Sequence, residues 1–407
     1  MSTAKAAQAG AQRPVMIVPG GAFQIPLIRA AKARGYLVIC ADRRPDCDAA
    51  AVADEFHPLG LDQRDQLLAL ARTRRVQGVL TDQTDSGVAT AAWLSTQLGL
   101  RGIGSESAAL YTRKPLMRSF SRQAGFPAPT CHVCRDVAEA TRAATELGYP
   151  VVVKPPAAQA SKGVSRVAGP DALAVAVASA AAFSDDGTVL VETFVAGPEY
   201  TVEGFRTTDG HRTLAISSKL HYPHCPTVAC ALRYAPWSWS EPLTQLERQH
   251  DRWVDASGLP LGMTHAEYRW SQGRFYQIEV AARGGGSGIA SSIVPWVSGI
   301  DYQEWLLDAL VEQAPVPRDP RRVERCALLE FLALPDGVVR AIEGVDAARG
   351  LPGVHELVIN CQAGTRIGPP ADDNSRPGRF ILLTDSQAEL DECRRNLLAT
   401  LRVTVAA

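Results

Sequence analysis

An excess of charge of either sign is missing from this sequence: 42 Lys and Arg stand against 43 Asp and Glu, a net charge of −1. That balance excludes the basic footprint of a nucleic-acid binder and gives no pull toward an anionic membrane surface. No stretch approaches the roughly 18 uninterrupted apolar residues of a membrane span, and the opening MSTAKAAQAGAQRP lacks the apolar core of a secretory signal. A cytoplasmic location is therefore expected, with small molecules as partners. The 9 cysteines are odd in number and follow no framework spacing, which fits a reducing compartment. Cys131 and Cys134 in CHVC lack a second ligand pair at similar spacing. Prolines within KLHYPHCPTVAC break any regular ligand face for His221, His224, Cys225 and Cys230. Ordinary thiols and imidazoles are expected at both places.

Two phosphate-binding signatures are incomplete. Residues 14 to 41 read as an apolar run, a glycine turn, an amphipathic helical stretch and a second apolar run, which is a βαβ unit. Asp42 follows Gly20 and Gly21 at about the spacing of a ribose-binding acid, but the turn PGGAFQ lacks the third glycine of the dinucleotide fingerprint. A tight strand-to-helix turn is the favoured reading. A dinucleotide-dependent oxidoreductase built on this unit is the rival one. After Lys154, at the end of the strand VVVK, the loop PPAAQASKGVSRV has neither the spacing nor the following helix of a Walker loop. Ser161, Lys162 and Gly163 within it are suited to covering phosphates with backbone N–H groups, although a surface lysine beside a loop would look the same.

At 407 residues the chain exceeds one hydrophobic core. Strands and helices alternate to about residue 104, as in a parallel α/β sheet. The pattern changes at 105, and a third, α+β region follows the proline-rich EQAPVPRDPRR, from 313 to 407.

The chemistry concentrates in GMTHAEYRWSQGRFYQIEVAARGGGSG, from Gly262 to Gly288. Alternating residues on either side of Ser271, Gln272 and Gly273 predict a β-hairpin. A turn centred on Gly273 sets Glu267 opposite Glu279 on one face. Opposed carboxylates repel, so the pair suggests a divalent cation, magnesium or manganese, held between them. The hairpin alone leaves two solvated acids equally open. Arg283 shares the parity of Glu279, and its fork of donors suits a carboxylate or phosphoryl oxygen. Gly284, Gly285 and Gly286 after it permit a close approach to a ligand, which favours the metal–phosphate reading. A second cluster, TVLVETFVAGPEYTVEGF, places Glu192, Glu199 and Glu203 in and between two strands.

The ordered set TRKPLMRSFSRQAGFPAP, GYPVVVKPPAAQASKGVSRV, VLVETFVAGPEYTVEGF and HAEYRWSQGRFYQIEVAARGGG resembles the ATP-grasp superfamily. The likeness is greatest to carboxylate–amine ligases built like biotin carboxylase and the L-amino acid ligases. The resemblance implies a Rossmann-like pre-ATP-grasp domain at 1–104, a two-subdomain ATP-grasp fold at 105–312 and a small closing subdomain at 313–407. It implies ATP and Mg2+, with Mn2+ as a substitute, a small-molecule carboxylate and amine as substrates, and it is compatible with a homodimer. Lys114 and Lys154 would contact the phosphates under the 160–164 loop, which includes Ser161, Lys162 and Gly163. Glu192, Thr193, Phe194 and Val195 would meet adenine, and Glu199 would hold the ribose. Glu267 and Glu279 match the metal ligands, and Arg283 matches the arginine that steadies an acyl phosphate. Lys219, His221 and His265 are candidates for the base that deprotonates the amine. Ala281 departs from the pattern, standing where many relatives have a metal-binding asparagine. That departure keeps open a nucleotide-binding protein without turnover, beside a purine-pathway-type ligase.

Overall fold

The computed structural model describes residues 13–223, 225–236, 241–315, 323, 325–370 and 372–406. Its first unit is a four-stranded parallel sheet in the order Glu55–His57, Tyr36–Ala41, Arg13–Ile17, Val79–Leu80. The strands are apolar runs because both faces are covered: helices Ile25–Ala33, Arg64–Arg74 and Asp85–Leu98 pack on them. The Gly20 N–H donates to Asp42 at 2.9 Å, and a Cβ on Gly20 would come within 2.6 Å of the Cys47 sulfur. Asp42 thus spends a carboxylate oxygen on the glycine turn, as the tight-turn reading expects.

A second sheet, antiparallel, runs Cys131–Cys134, Val189–Thr193, Val151–Lys154, Ser165–Val167. Helix Val137–Leu147 starts where Asp136 accepts from the Glu139 N–H at 2.8 Å, an N-cap bond, and together with Leu173–Ala181 it covers this sheet.

The largest sheet has eight strands, in the order Arg274–Ala281, Gly262–Ser271, Glu199–Thr207, Gly210–Tyr222, Cys225–Tyr234, Cys326–Phe331, Gly378–Thr384, Val354–Ile359. It crosses the boundary expected at 312/313, because the last three strands of that order come from the C-terminal region. That region also forms a three-stranded sheet, Arg366–Ile367, Gly337–Glu343, Arg402–Ala406, whose last strand follows helix Gln387–Thr400. Among the described residues no helix is long and apolar enough to cross a membrane.

Helix Glu241–Ala256 docks on the large sheet through a polar cluster. His211 is fully buried, with Nδ1 at 2.7 Å from Asp251 and Nε2 at 2.7 Å from the Thr264 hydroxyl. His250, also fully buried, reaches Tyr268 at 3.0 Å. Burial pushes His211 down from 6.5 to about 3 and holds His250 well below its usual value. Both rings are neutral in the folded chain, whereas the unfolded chain takes up protons as pH falls through about 6.5. Stability is therefore expected to be full above that pH and to decline below it by about 1.4 kcal/mol per pH unit for each histidine. Urea unfolding between pH 7.5 and 5 measures this, and a flat profile would contradict the neutral, buried pair.

Candidate active site

A cleft of about 420 Å³ is lined on one side by the large sheet and on the other by the antiparallel second sheet and the loop after Lys154. Its most charged part is the hairpin. Gln272 and Gly273 have φ of 49° and 74°, the positive values of a two-residue hairpin turn. This differs from a turn centred on Gly273 and by itself would set Glu267 against Ile278. A register shift between Glu267 and Tyr268 absorbs one residue, so Glu267 does face Glu279.

Each of the two carboxylates holds an ammonium: Lys219 lies 2.6 Å from Glu267, and Lys114 lies 3.0 Å from Glu279. Burial opposes their ionisation, but Lys219 and Lys114 outweigh it, and both carboxyls sit below their usual range. The row continues along the floor. Lys219 is 2.8 Å from Glu199, which also meets Arg269 at 2.6 Å and His221 at 3.4 Å. Burial works against the Lys219 charge, yet Glu199 and Glu267 raise its pKa above the ordinary lysine value. Both carboxylates thus favour the charged form of Lys219, which counts against the reading of it as a base. His265 gives Nδ1 to the buried Glu203 at 2.6 Å.

The opposite wall carries Lys154 and Glu192, 2.7 Å apart, with Arg118 at 2.9 Å from the same carboxylate. Burial raises the Glu192 pKa, but Arg118 and Lys154 prevail and bring it to about 2. The Glu192 side chain is committed to that pair. Thr193, Phe194 and Val195 line the cleft beside it, with Arg166 and Arg269 placed 4.7 and 5.2 Å from the Phe194 ring.

The loop over the cleft is tied down at three points. Gln159 accepts from the Asp85 N–H at 2.9 Å, Ser161 donates to the Thr227 carbonyl at 3.0 Å, and the Asp373 N–H donates to the Ala160 carbonyl at 3.2 Å. Ser161 and Lys162 line the cleft but Gly163 does not. It has φ of 67° and packs where a Cβ would come within 2.9 Å of Phe183 and 3.2 Å of the Ala180 backbone, so close packing requires a glycine there.

Arg283 lines the cleft with its fork closed on Asp85, at 2.7 and 3.0 Å. The glycines after it need correction. The Gly284 N–H donates to Asp82 at 3.1 Å and the Gly285 N–H to Glu203 at 3.3 Å, so both approach protein, and of the three only Gly286 lines the cleft. Arg269 was missed, though it shares strand parity with Glu267. Asp85 was missed too, and at 198 residues from its partner nothing local points to it.

Cys131 lies in a strand, and burial pushes its thiol up to about 12. His224 lies outside the described residues. Among those described, no group of three or more His, Cys, Asp or Glu converges to hold a metal. The fit to magnesium rests on two facing carboxylates that already hold cations; magnesium typically takes one or two carboxylates, with phosphates and water completing its shell. Ala281 adds no oxygen. The residues present fit an ion that arrives with a nucleotide.

Residues 147–291 match the family model of the ATP-grasp domain, and 330–406 match that of L-amino acid ligase C-terminal domain 2. An uncharacterized protein of Sinorhizobium fredii is 27% identical over 334 residues, 79% of this chain and 67% of that one. The D-alanine–D-alanine ligase of Ectopseudomonas mendocina is 38% identical over 105 residues, 26% of this chain and only 33% of its own length. The crystal structure of an L-amino acid ligase from Bacillus licheniformis superposes with a TM-score of 0.81 at 22% identity, covering 97% of this chain and 99% of that one. At that identity the likeness is one of fold.

Glu192→Gln removes the negative charge that Arg118 and Lys154 share, all three at most 5% exposed. Losing one member of such a buried group is expected to cost about 3–5 kcal/mol of folding stability, readable by urea unfolding. A loss below about 1 kcal/mol, the size for an exposed pair, would show that water reaches the group.

Proposed function

We propose, from the premise that this chain is an ATP-grasp protein ending in an L-amino acid ligase C-terminal domain 2, that it is an ATP-dependent carboxylate–amine ligase. Its substrates are amino acids, or an amino acid and a small amine. Residues 1–104, 105–312 and 313–407 then act as the pre-ATP-grasp, ATP-grasp and closing parts. The observation that carries the reading is the facing pair Glu267 and Glu279 in a cleft that also holds Lys114, Lys154, Lys219 and Arg283.

A carboxylate resists attack because its charge repels nucleophiles and oxide is a poor leaving group. In the proposed reaction a substrate carboxylate oxygen bonds to the γ-phosphorus of ATP and the bond to ADP breaks, giving an acyl phosphate. The amine nitrogen then bonds to the acyl carbon, phosphate leaves, and the amine releases a proton. Lys114 and Lys154 lie where they can offset phosphate charge, and Arg283 can steady the carboxylate being activated. Glu267 and Glu279 would hold magnesium, which supplies charge neutralisation at the phosphates. The loop through Gln159, Ala160 and Ser161, tied as described, excludes water that would hydrolyse the acyl phosphate.

Phosphate release from ATP and magnesium is to be measured across amino acids, singly and in pairs, with products weighed by mass spectrometry. Release that depends on a pair, with a product equal to their sum less water, is expected. Nucleotide binding without release for any pair would favour a binding protein that does not turn over. Glu279→Gln should abolish release with the fold intact; full activity would remove the pair from the mechanism. Arg283→Lys, which loses the fork on Asp85, should lower kcat by roughly 100-fold while leaving the KM for ATP nearly unchanged. Equal rates would make Arg283 structural.

A further inference from the structure

The charged row on the cleft floor is compensated at every member, and the C-terminal side of the same cleft holds a paired cation with one donor unmet. Arg376 precedes strand Gly378–Thr384, lines the cleft and is 6% exposed. One guanidinium nitrogen pairs with Asp373, and the group lies 3.6 Å over the Phe331 ring. Its Nε is buried without a hydrogen-bond partner. Buried guanidinium donors are normally all satisfied, because an unmade bond to a charged group forfeits its solvation with no return.

The surroundings say what could complete it. Phe331 packs under Arg376, and Leu232, Ala229, Leu329 and Ile289 line the same cleft, an apolar stretch with Arg376 at one end and Lys219, the register partner of Leu232, at the other. Leu232 and Leu329 are register partners, so they share a face of the large sheet. Asp373 lies within electrostatic reach of Lys219 and Glu267, which places this end of the cleft next to the reacting centre. An apolar floor ending in a planar, forked cation suits a molecule with an apolar stem and a carboxylate. The carboxylate that reacts is assigned to Arg283, so a second one belongs to the other substrate.

We propose that Arg376, with the apolar floor of Leu232, Leu329 and Phe331, forms a subsite that binds a non-reacting carboxylate of the amine substrate. This rests on the ligase reading. The subsite holds that carboxylate away from the phosphoryl group, so that it is not activated in its turn. The same short segment carries Asp373, whose N–H holds the Ala160 carbonyl of the covering loop, so the subsite and the loop share a support.

The test compares acids with their isosteric amides. Binding of L-leucine and L-leucinamide, and of L-glutamate and L-glutamine, is to be measured by calorimetry on the full chain with magnesium and the β,γ-imido analogue of ATP, for the wild type, Arg376→Gln and Arg376→Lys. In at least one pair the wild type should bind the acid roughly tenfold more tightly than the amide, as a charge-assisted bond implies. Arg376→Gln should bring that ratio close to unity, Arg376→Lys should keep part of it, and affinity for the ATP analogue should not change. Three results would overturn the proposal: no preference for either acid in the wild type, a preference that survives in Arg376→Gln, or a parallel loss of ATP-analogue binding in both variants. If Arg376→Gln does not fold, the same ratio is read in Arg376→Lys, where an unchanged preference would count against the fork. Failure of the ligase reading is separate: it would appear as acid preference lost in Arg376→Gln together with no phosphate release for any pair.

Discussion

Burying charge without leaving any of it uncompensated is the constraint on which the rest of this structure depends. Glu192, Glu199 and Glu203 are each at most 5% exposed, and each needs a cation or a donor within reach. The partners come from separate parts of the chain. Arg118 belongs to the helix Lys114–Gln123, Lys154 to the antiparallel sheet that begins with Cys131–Cys134, Lys219, Arg269 and His265 to the large sheet, and the Gly285 N–H that reaches Glu203 to the turn after its edge strand. Moving any sheet away from its neighbour would strand a charge at a cost of several kcal/mol. The ion pairs therefore position the layers that the apolar clusters only hold together.

The same pairing prepares the cleft for an anionic ligand. In water, lysines would have to be gathered and desolvated as the ligand arrives. Here Lys114, Lys154 and Lys219 are already fixed on carboxylates and largely dry. On the proposed reading, phosphates and their magnesium replace one set of opposite charges with another. Arg283 illustrates the point: its fork already grips the carboxylate of Asp85, the bidentate geometry that a substrate carboxylate would use in exchange.

Local patterns were legible and long-range compensation was not. Alternation about Gly273 exposed the hairpin and the facing acids, because strand parity is a sequence property. The register shift that makes them face was invisible, since the two-residue turn and the bulge cancel in a simple count. The two acids that hold Lys219, Glu199 and Glu267, lie on other strands, so nothing beside Lys219 in the sequence announced them. A glycine that admits a ligand and one that admits a neighbouring side chain, as Gly163 and Gly284 do, are alike in sequence. The C-terminal region was legible as strands and a helix, but not as part of the central sheet, because pairing between Cys225–Tyr234 and Cys326–Phe331 spans most of a domain.

That last pairing explains how one cleft can combine a common chemistry with a particular choice of substrate. The lysines, the acid pair and the arginine beside them lie within or close to the stretch matched by the ATP-grasp model, 147–291. Phe331 and Arg376 lie in the stretch matched by the C-terminal domain, 330–406. Because three C-terminal strands extend the large sheet, side chains of the second stretch reach the same cleft as those of the first. Changes in the C-terminal stretch can reshape that end of the cleft without disturbing the compensated charges in the middle, which tolerate little alteration. On the proposed reading the division follows from electrostatics: the apolar part of the floor beside Arg376 can be remodelled residue by residue, whereas a buried ion-pair network has to be kept whole.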